Sequence, residues 1–160
     1  MSNNLQAGNP YEVRQAGLEN QEAAFGLLQR FFEEEGFDTQ QMHASLKVFL
    51  DHPSCAVFLV WQGAQPVGIA TVNSSPSLEF GRYAEVEDLY VLPEMRSQGI
   101  GSALLRTAQA WCRAQECTQM AVVVTPESQS AHNLMSYYRA QGFQDTGRTI
   151  LLYDLAASMP

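Results

Sequence analysis

Positive charge is scarce in this chain of 160 residues: nine Lys and Arg stand against 17 Asp and Glu, a net charge of −8. That balance excludes nucleic acid and anionic membrane surfaces as expected partners. It leaves room for a cationic ligand. Cysteine is sparse too. Cys55, Cys112 and Cys117 form an odd set without Cys-x-x-Cys spacing, and His43, His52 and His132 show no His-x-x-x-His pattern. Reduced thiols and no metal are expected. No apolar run approaches the length of a membrane span. The first ten residues hold neither basic residues nor an apolar core, so no signal peptide is expected and a cytoplasmic location follows. Repeats, low-complexity tracts and interdomain linkers are missing as well. The chain therefore reads as a flexible segment over 1–10, one domain over 11–155 and a tail over 156–160, long enough to bury about two-thirds of its unfolded surface.

What is present is an alternation of strand and helix patterns. Tyr11 to Gln15 alternates as a strand. Asn20 then caps a helix with Ala24, Leu27, Leu28, Phe31 and Phe32 at helical spacing, ended by Gly36. Thr39 opens a second helix with Met42, Leu46, Phe49 and Leu50 on its buried stripe. Ala56–Trp61 and Val67–Val72 read as a hairpin, followed by a loop at Asn73–Ser77 and a strand from Ala84 to Leu92. A helix from about Gly99 to Cys112 turns Ile100, Ala103, Leu104, Ala108 and Trp111 inward, with Cys112 as a small core residue. Gln119–Val124 carries so little polar interruption that a buried central strand is predicted. A helix over Gln129–Ala140, a short strand near Phe143 and a last strand Thr149–Tyr153 complete an α/β (α+β) pattern.

The most informative junction is Glu87-Asp-Leu-Tyr-Val-Leu-Pro-Glu-Met-Arg-Ser-Gln-Gly-Ile-Gly-Ser-Ala-Leu-Leu105, a strand that feeds a glycine-containing turn into an amphipathic helix. Arg96-Ser-Gln-Gly-Ile-Gly-Ser102 presents backbone N–H groups unobstructed by side chains, at the positive end of the helix dipole. A pyrophosphate suits it; an ordinary helix-capping turn is the plainer reading. The loop is no P-loop, because no Gly-Lys-Ser/Thr closes it. Nor is it a dinucleotide fingerprint, since Leu104 stands where the third glycine belongs and no strand-end acid follows about twenty residues on.

The Arg-x-x-Gly-x-Gly pattern resembles the acetyl-CoA loop of the GCN5-related N-acetyltransferase (GNAT) superfamily. Downstream, Tyr138-Arg-Ala-Gln-Gly-Phe143 matches the family's Tyr-x-x-x-Gly-Phe, about 40 residues after the loop. One departure stands out: many members carry Asn seven residues before that Tyr, where this chain has Ala131, with Asn133 displaced by two. The resemblance implies a single-domain GNAT fold. It has a central mixed, mostly antiparallel sheet of about seven strands, about four flanking helices, and a splay between the fourth and fifth strands. It implies acetyl-CoA (coenzyme A) as cofactor, pairing with Leu89, Tyr90 and Val91. Its pyrophosphate would lie on Arg96, Ser97, Gln98, Gly99, Ile100, Gly101 and Ser102, with Asn133 as a further contact. A homodimer is compatible with it.

Acetyl transfer to an amine requires a proton sink. An alkyl amine of pKa about 10.4 is neutral in about one molecule in 2,500 at pH 7, a cost of about 4.6 kcal/mol. Glu87, two residues before the pairing segment, is the candidate base or water relay, or else a ligand of a cationic acceptor or a solvated carboxylate. Glu85 shares its face by alternation, and Asp88 faces the other way unless a bulge intervenes. Tyr138 matches the family position that protonates the departing thiolate, with core packing as its structural alternative. Glu33, Glu34 and Asp38, beside Phe31, Phe32 and Phe37, would rim the acceptor pocket, or simply end a helix in solvent. Glu87-Asp-Leu-Tyr-Val91 also resembles the diamine (polyamine) acetyltransferases. These features imply an enzyme that acetylates a primary amine of a small cationic acceptor, polyamine or aminoglycoside-like. The alternatives are a protein or peptide N-acetyltransferase and a decayed acyl-CoA-binding sensor.

Overall fold

The computed structural model describes residues 10–157. Most of the expected leading segment and the end of the tail lie outside these described residues. Two compact units divide the chain, one up to Thr125 and one from Pro126 onward. No helix among the described residues is long and apolar enough to cross a membrane.

The first unit is a five-stranded sheet in the order β1-β2-β3-β4-β5, formed by β1 (Tyr11–Gln15), β2 (Cys55–Gln62), β3 (Gln65–Ser77), β4 (Gly81–Val91) and β5 (Gln119–Val122). The first four strands are antiparallel neighbours, and β4 and β5 are parallel. Helices α1 (Gln21–Glu35), α2 (Met42–Asp51) and α3 (Ile100–Ala114) accompany it. Gly36 ends α1 at φ 72°, its N–H returning to Phe32 O; that left-handed turn suits glycine. Ala24, Leu27 and Leu28 on α1, Met42 and Leu46 on α2, and Ile100, Ala103, Leu104, Leu105, Ala108 and Cys112 on α3 are buried. Beneath the start of α3, a Cβ on Gly68 would come within 3.1 Å of Ile100 Cγ2 and 3.3 Å of Tyr90 O. The glycine thus lets α3 sit close on β3.

The second unit holds α4 (Pro126–His132) and α5 (Leu134–Ala140). The sequence predicts one helix here, but Asn133 breaks it with φ 50°. Gln129 shapes the break: its Oε1 accepts Met135 N–H at 2.7 Å and its Nε2 donates to Asn133 Oδ1 at 3.2 Å. Asn is among the few residues that enter the left-handed region readily.

Four further expectations are corrected. The described residues form five strands and five α-helices, against about seven and four. The stretches near Phe143 and over Thr149–Tyr153 form no strand. Before the latter, local turns compete with a ladder, as Asp145 Oδ1 takes Gly147 N–H at 2.9 Å and Thr146 Oγ1 takes Arg148 N–H at 3.3 Å. Among the described residues the sheet stops at β5, so that strand is an edge strand of intermediate burial, where a buried central strand was expected. Asn73–Ser77, expected as a loop, continues β3 opposite Gly81–Glu85.

Candidate active site

The site begins with a bulge. Thr71 pairs with Asp88 and Val72 with Val86, so Glu87 is the extra residue on β4. Residues beyond a bulge exchange faces. Asp88 therefore joins Glu85 on one side of the sheet, opposite Thr71 and Asn73. Thr71 Oγ1 donates to Asp88 Oδ2 at 2.5 Å and accepts Asp88 N–H at 3.1 Å. Asn73 Nδ2 donates to Glu87 Oε1, which brings Glu87 to the same side. Three carboxylates thus converge where strict alternation separates Asp88 from the other two. Partial burial, then Asp88, then Glu85 raise the Glu87 pKa above the ordinary carboxylate value, against the opposing bond from Asn73. Burial likewise raises Asp88, against the bond from Thr71. Neighbouring Cys55, opposite Asn73, has its thiol pKa raised by burial and by the Glu87 charge, which keeps it protonated and poorly nucleophilic.

Raised carboxylate pKa values mean that the folded state binds these protons more tightly than the unfolded state. The contribution to stability then falls as pH rises through the window above the ordinary carboxylate values. Asp88→Asn is accordingly expected to raise the urea midpoint at pH 7 and to flatten the gain seen on acidification towards pH 5. Matched denaturation curves at the two pH values check this. A midpoint lowered equally at both would show that Asp88 is needed as an anion.

Further along the same face, Tyr90 stacks on Phe31 of α1 with centroids 5.3 Å apart, and its hydroxyl donates to Glu34 Oε2 at 3.1 Å. Arg96 Nη2 lies 2.8 Å from Glu34 Oε1 and 3.1 Å from Oε2, while Nε donates to Val91 O at 3.0 Å. The first turn after β4 is thereby tied to the end of α1. Phe37 packs edge-on against Phe31 and Phe32. Of the other rim residues, Glu33 accepts from Gln29 at 3.1 Å and Asp38 accepts Gln40 N–H at 2.9 Å, both exposed. These two sit in local helix-end bonds, apart from the Glu34 cluster.

The segment expected to cradle an anion holds two residues in the left-handed region. Ser97 and Gly99 lie at φ 62° and 79°, and Gly99 caps α3. Ala103 N–H makes the bond to Gly99 O at 3.0 Å, so the N–H groups on Ile100, Gly101 and Ser102 come before the first N–H that has an acceptor within the helix. The Gln98 carboxamide accepts from the Tyr11 hydroxyl on β1. Alongside the cradle, β4 outruns β5: pairing covers Tyr83–Val86 against Gln119–Val122, leaving Glu87–Val91 without a β5 partner among the described residues. The donor set and the open strand edge fit a pyrophosphate with an extended amide-bearing arm.

In the second unit, Tyr138 is buried on α5, edge-on to Tyr137 and Phe143, with its pKa pushed up to about 12 by burial and by Tyr137. Asn133 opens the same helix, its side chain turned to Gln129. Sequence reasoning missed Thr71 and Asn73 as partners of the carboxylates. Only pairing across β3 and β4 exposes them, and no local pattern signals it.

The chain belongs to the acetyltransferase (GNAT) family, whose sequence pattern it matches over residues 21–143. It is 33% identical over 86 residues to the aminoglycoside N(6')-acetyltransferase type 1 of Klebsiella aerogenes, covering 50% of this chain and 57% of that one. To the thialysine N-epsilon-acetyltransferase of Bos taurus it is 36% identical over 84 residues, 52% of this chain and 48% of the other. The chain thus spans about half the length of these curated relatives. The crystal structure of the aminoglycoside N-acetyltransferase AAC(6')-Iy in complex with CoA shares the fold, with a TM-score of 0.78 at 21% identity, covering 96% of this chain and 100% of that one.

Proposed function

We propose that this protein is an acetyl-CoA-dependent N-acetyltransferase that acts by direct transfer on a primary amine of a small cationic acceptor, of polyamine or aminoglycoside-like character. The observation that carries the reading is the convergence of Glu85, Glu87 and Asp88 on one face of β4, immediately before its open edge. The relatives named for aminoglycoside and thialysine acetylation support the acceptor class, and the CoA complex of the shared fold supports the donor.

In this reading the N–H groups at the start of α3 hold the pyrophosphate, and Leu89 to Val91 offer their backbone to the pantetheine arm. When bound, the cofactor supplies an acetyl carbon activated as a thioester. Glu85 and Asp88 neutralise the acceptor's charge, with the Phe31–Tyr90 stack as a flat wall beside it. Glu87, held by Asn73, takes the proton from the amine directly or through one water. Its raised pKa moves it closer to the working pH, which favours a base. Tyr138 keeps its proton at neutral pH and donates a hydrogen bond to the thioester sulfur. A phenol of pKa about 12 lies about 3.5 units above a thiol of ordinary pKa, about 8.5, so full transfer to a free thiolate is uphill by about 4.8 kcal/mol. Donation of a hydrogen bond, with the departing thiolate taking its proton from solvent water, avoids that cost.

Glu87→Gln tests the assignment. Its kcat/KM is expected to fall most near neutral pH and to recover in part as rising pH supplies neutral amine, for a monoamine and a polyamine alike. A loss confined to the acceptor's KM, growing with the number of charges, would reassign Glu87 to acceptor binding.

A further inference from the structure

A threonine stands where the buried sheet favours valine. Thr71 on β3 is 2% exposed, and its neighbours Ile69, Ala70 and Val72 are fully buried. Burying a hydroxyl costs free energy unless its bonds are made, and that hydroxyl is why threonine is no neutral exchange for valine in a core. The other buried polar side chain among the described residues, Ser74, donates to Ser54 O at 3.1 Å and accepts from Arg82 at 3.0 Å, so it staples neighbouring segments together. Thr71 makes no such staple. Both bonds of its hydroxyl go to one residue, Asp88.

These two bonds fix each other. The hydroxyl accepts Asp88 N–H at 3.1 Å, so its single proton is left to donate, and it goes to Asp88 Oδ2 at 2.5 Å. Asp88 follows the extra residue of the bulge, where the ladder is locally disrupted. Thr71 therefore serves strand and carboxylate at once. It catches the N–H behind the bulge and holds the carboxylate on the face shared with Glu85 and Glu87. A donor to a carboxylate favours its charged form, and Oδ1 is left to meet an ammonium group.

We infer that Thr71 is a positioning residue: its hydroxyl shapes the bulge of β4 and presents Asp88 as an anion to a charged group of the acceptor that lies away from the reacting amine. The inference rests on the proposed function, in which Asp88 neutralises acceptor charge while Glu87 handles the proton. Thr71 acts through Asp88 alone. A monoamine brings no second charge for Asp88 to meet, so the Thr71 hydroxyl becomes a determinant of discrimination between amines by charge. An uncharged, buried side chain on β3 thus sets how well an acidic face on β4 reads a polycation.

The test sets Thr71→Val, which keeps the shape and loses the hydroxyl, beside Thr71→Ser, which keeps the hydroxyl. Steady-state kinetics with acetyl-CoA is run on a monoamine and a polyamine, and amide hydrogen exchange is read at Asp88. In Thr71→Val the ratio of polyamine KM to monoamine KM should rise about tenfold or more, the scale of a lost bond to a charged group, with kcat reduced far less. Exchange at Asp88 should quicken by a similar factor. Thr71→Ser should bring both readouts back most of the way. A packing role gives the reverse order, with Thr71→Val close to wild type and Thr71→Ser impaired, and that order overturns the inference. So does an equal loss on both amines, which leaves the proposed function standing. If Thr71→Val fails to fold, Thr71→Ala takes its place against Thr71→Ser. Unchanged exchange at Asp88 overturns the part in the bulge. A wild type that acetylates no amine contradicts the proposed function itself, and the role in acceptor binding falls with it.

Discussion

Gly101→Asp is expected to abolish measurable acetyl-CoA binding while the domain stays folded. Residue 101 lies in the first turn of α3, among the N–H groups that come before the first N–H with an acceptor within the helix. A carboxylate there is locally favourable to the helix, because negative charge near an N-terminus is worth about 0.3–1 kcal/mol. The same charge occupies the place of the pyrophosphate and repels it. Two unit charges about 4 Å apart cost about 4 kcal/mol at an effective dielectric of about 20, and the pyrophosphate carries more than one. That alone predicts a loss of about a thousandfold. Gly99→Asp is the poorer probe, since φ 79° strains any residue with a side chain. Calorimetric titration of folded Gly101→Asp with acetyl-CoA decides the matter. Unchanged affinity would remove the cradle from the account.

Tyr138→Phe should lower kcat by at least about tenfold, and by about 10²–10⁴ if the hydroxyl acts throughout the transfer. The ring and its edge-on packing against Tyr137 and Phe143 persist in the variant, so cofactor affinity and stability should hardly move. Tyr137→Phe should be nearly silent in kcat. Steady-state kinetics on the two variants separates a proton or hydrogen-bond donor from a packing residue. A larger loss at Tyr137 would put the donor on the neighbouring side chain of α5.

The sequence was most legible where one local signal sufficed. Gly36 marks the end of α1, and Gly99 marks the start of α3, each by a left-handed turn. The burial of Ala24, Leu27 and Leu28 and that of Ile100, Ala103, Leu104, Ala108 and Cys112 follows the helical period. Reading failed where an outcome depended on pairing partners. The bulge at Glu87 arises from the register of β3 against β4, and no pattern in β4 alone announces it. Asn73–Ser77 looks like a loop by composition but pairs along β4 to Gly81. Asn133 splits a helix whose amphipathic pattern runs on, because Gln129 supplies side-chain bonds at the break. Thr149–Tyr153 has the composition of a strand, but a strand needs a neighbour.

Candidate site residues divide in the same way. Gly99, Gly101 and Tyr138 could be chosen from motifs. The gathering of Asp88 with Glu85 and Glu87, and the clamp of Glu34 on Tyr90 and Arg96, required three dimensions.

The most direct test of the central claim is thiol release from acetyl-CoA by the wild-type protein across a panel of amines graded in charge. One thiol is expected per acetylated amine, with kcat/KM rising from monoamine to polyamine or aminoglycoside as the acidic face gains more charge to neutralise. Tight cofactor binding with no thiol release on any amine would contradict it and leave a cofactor-binding sensor.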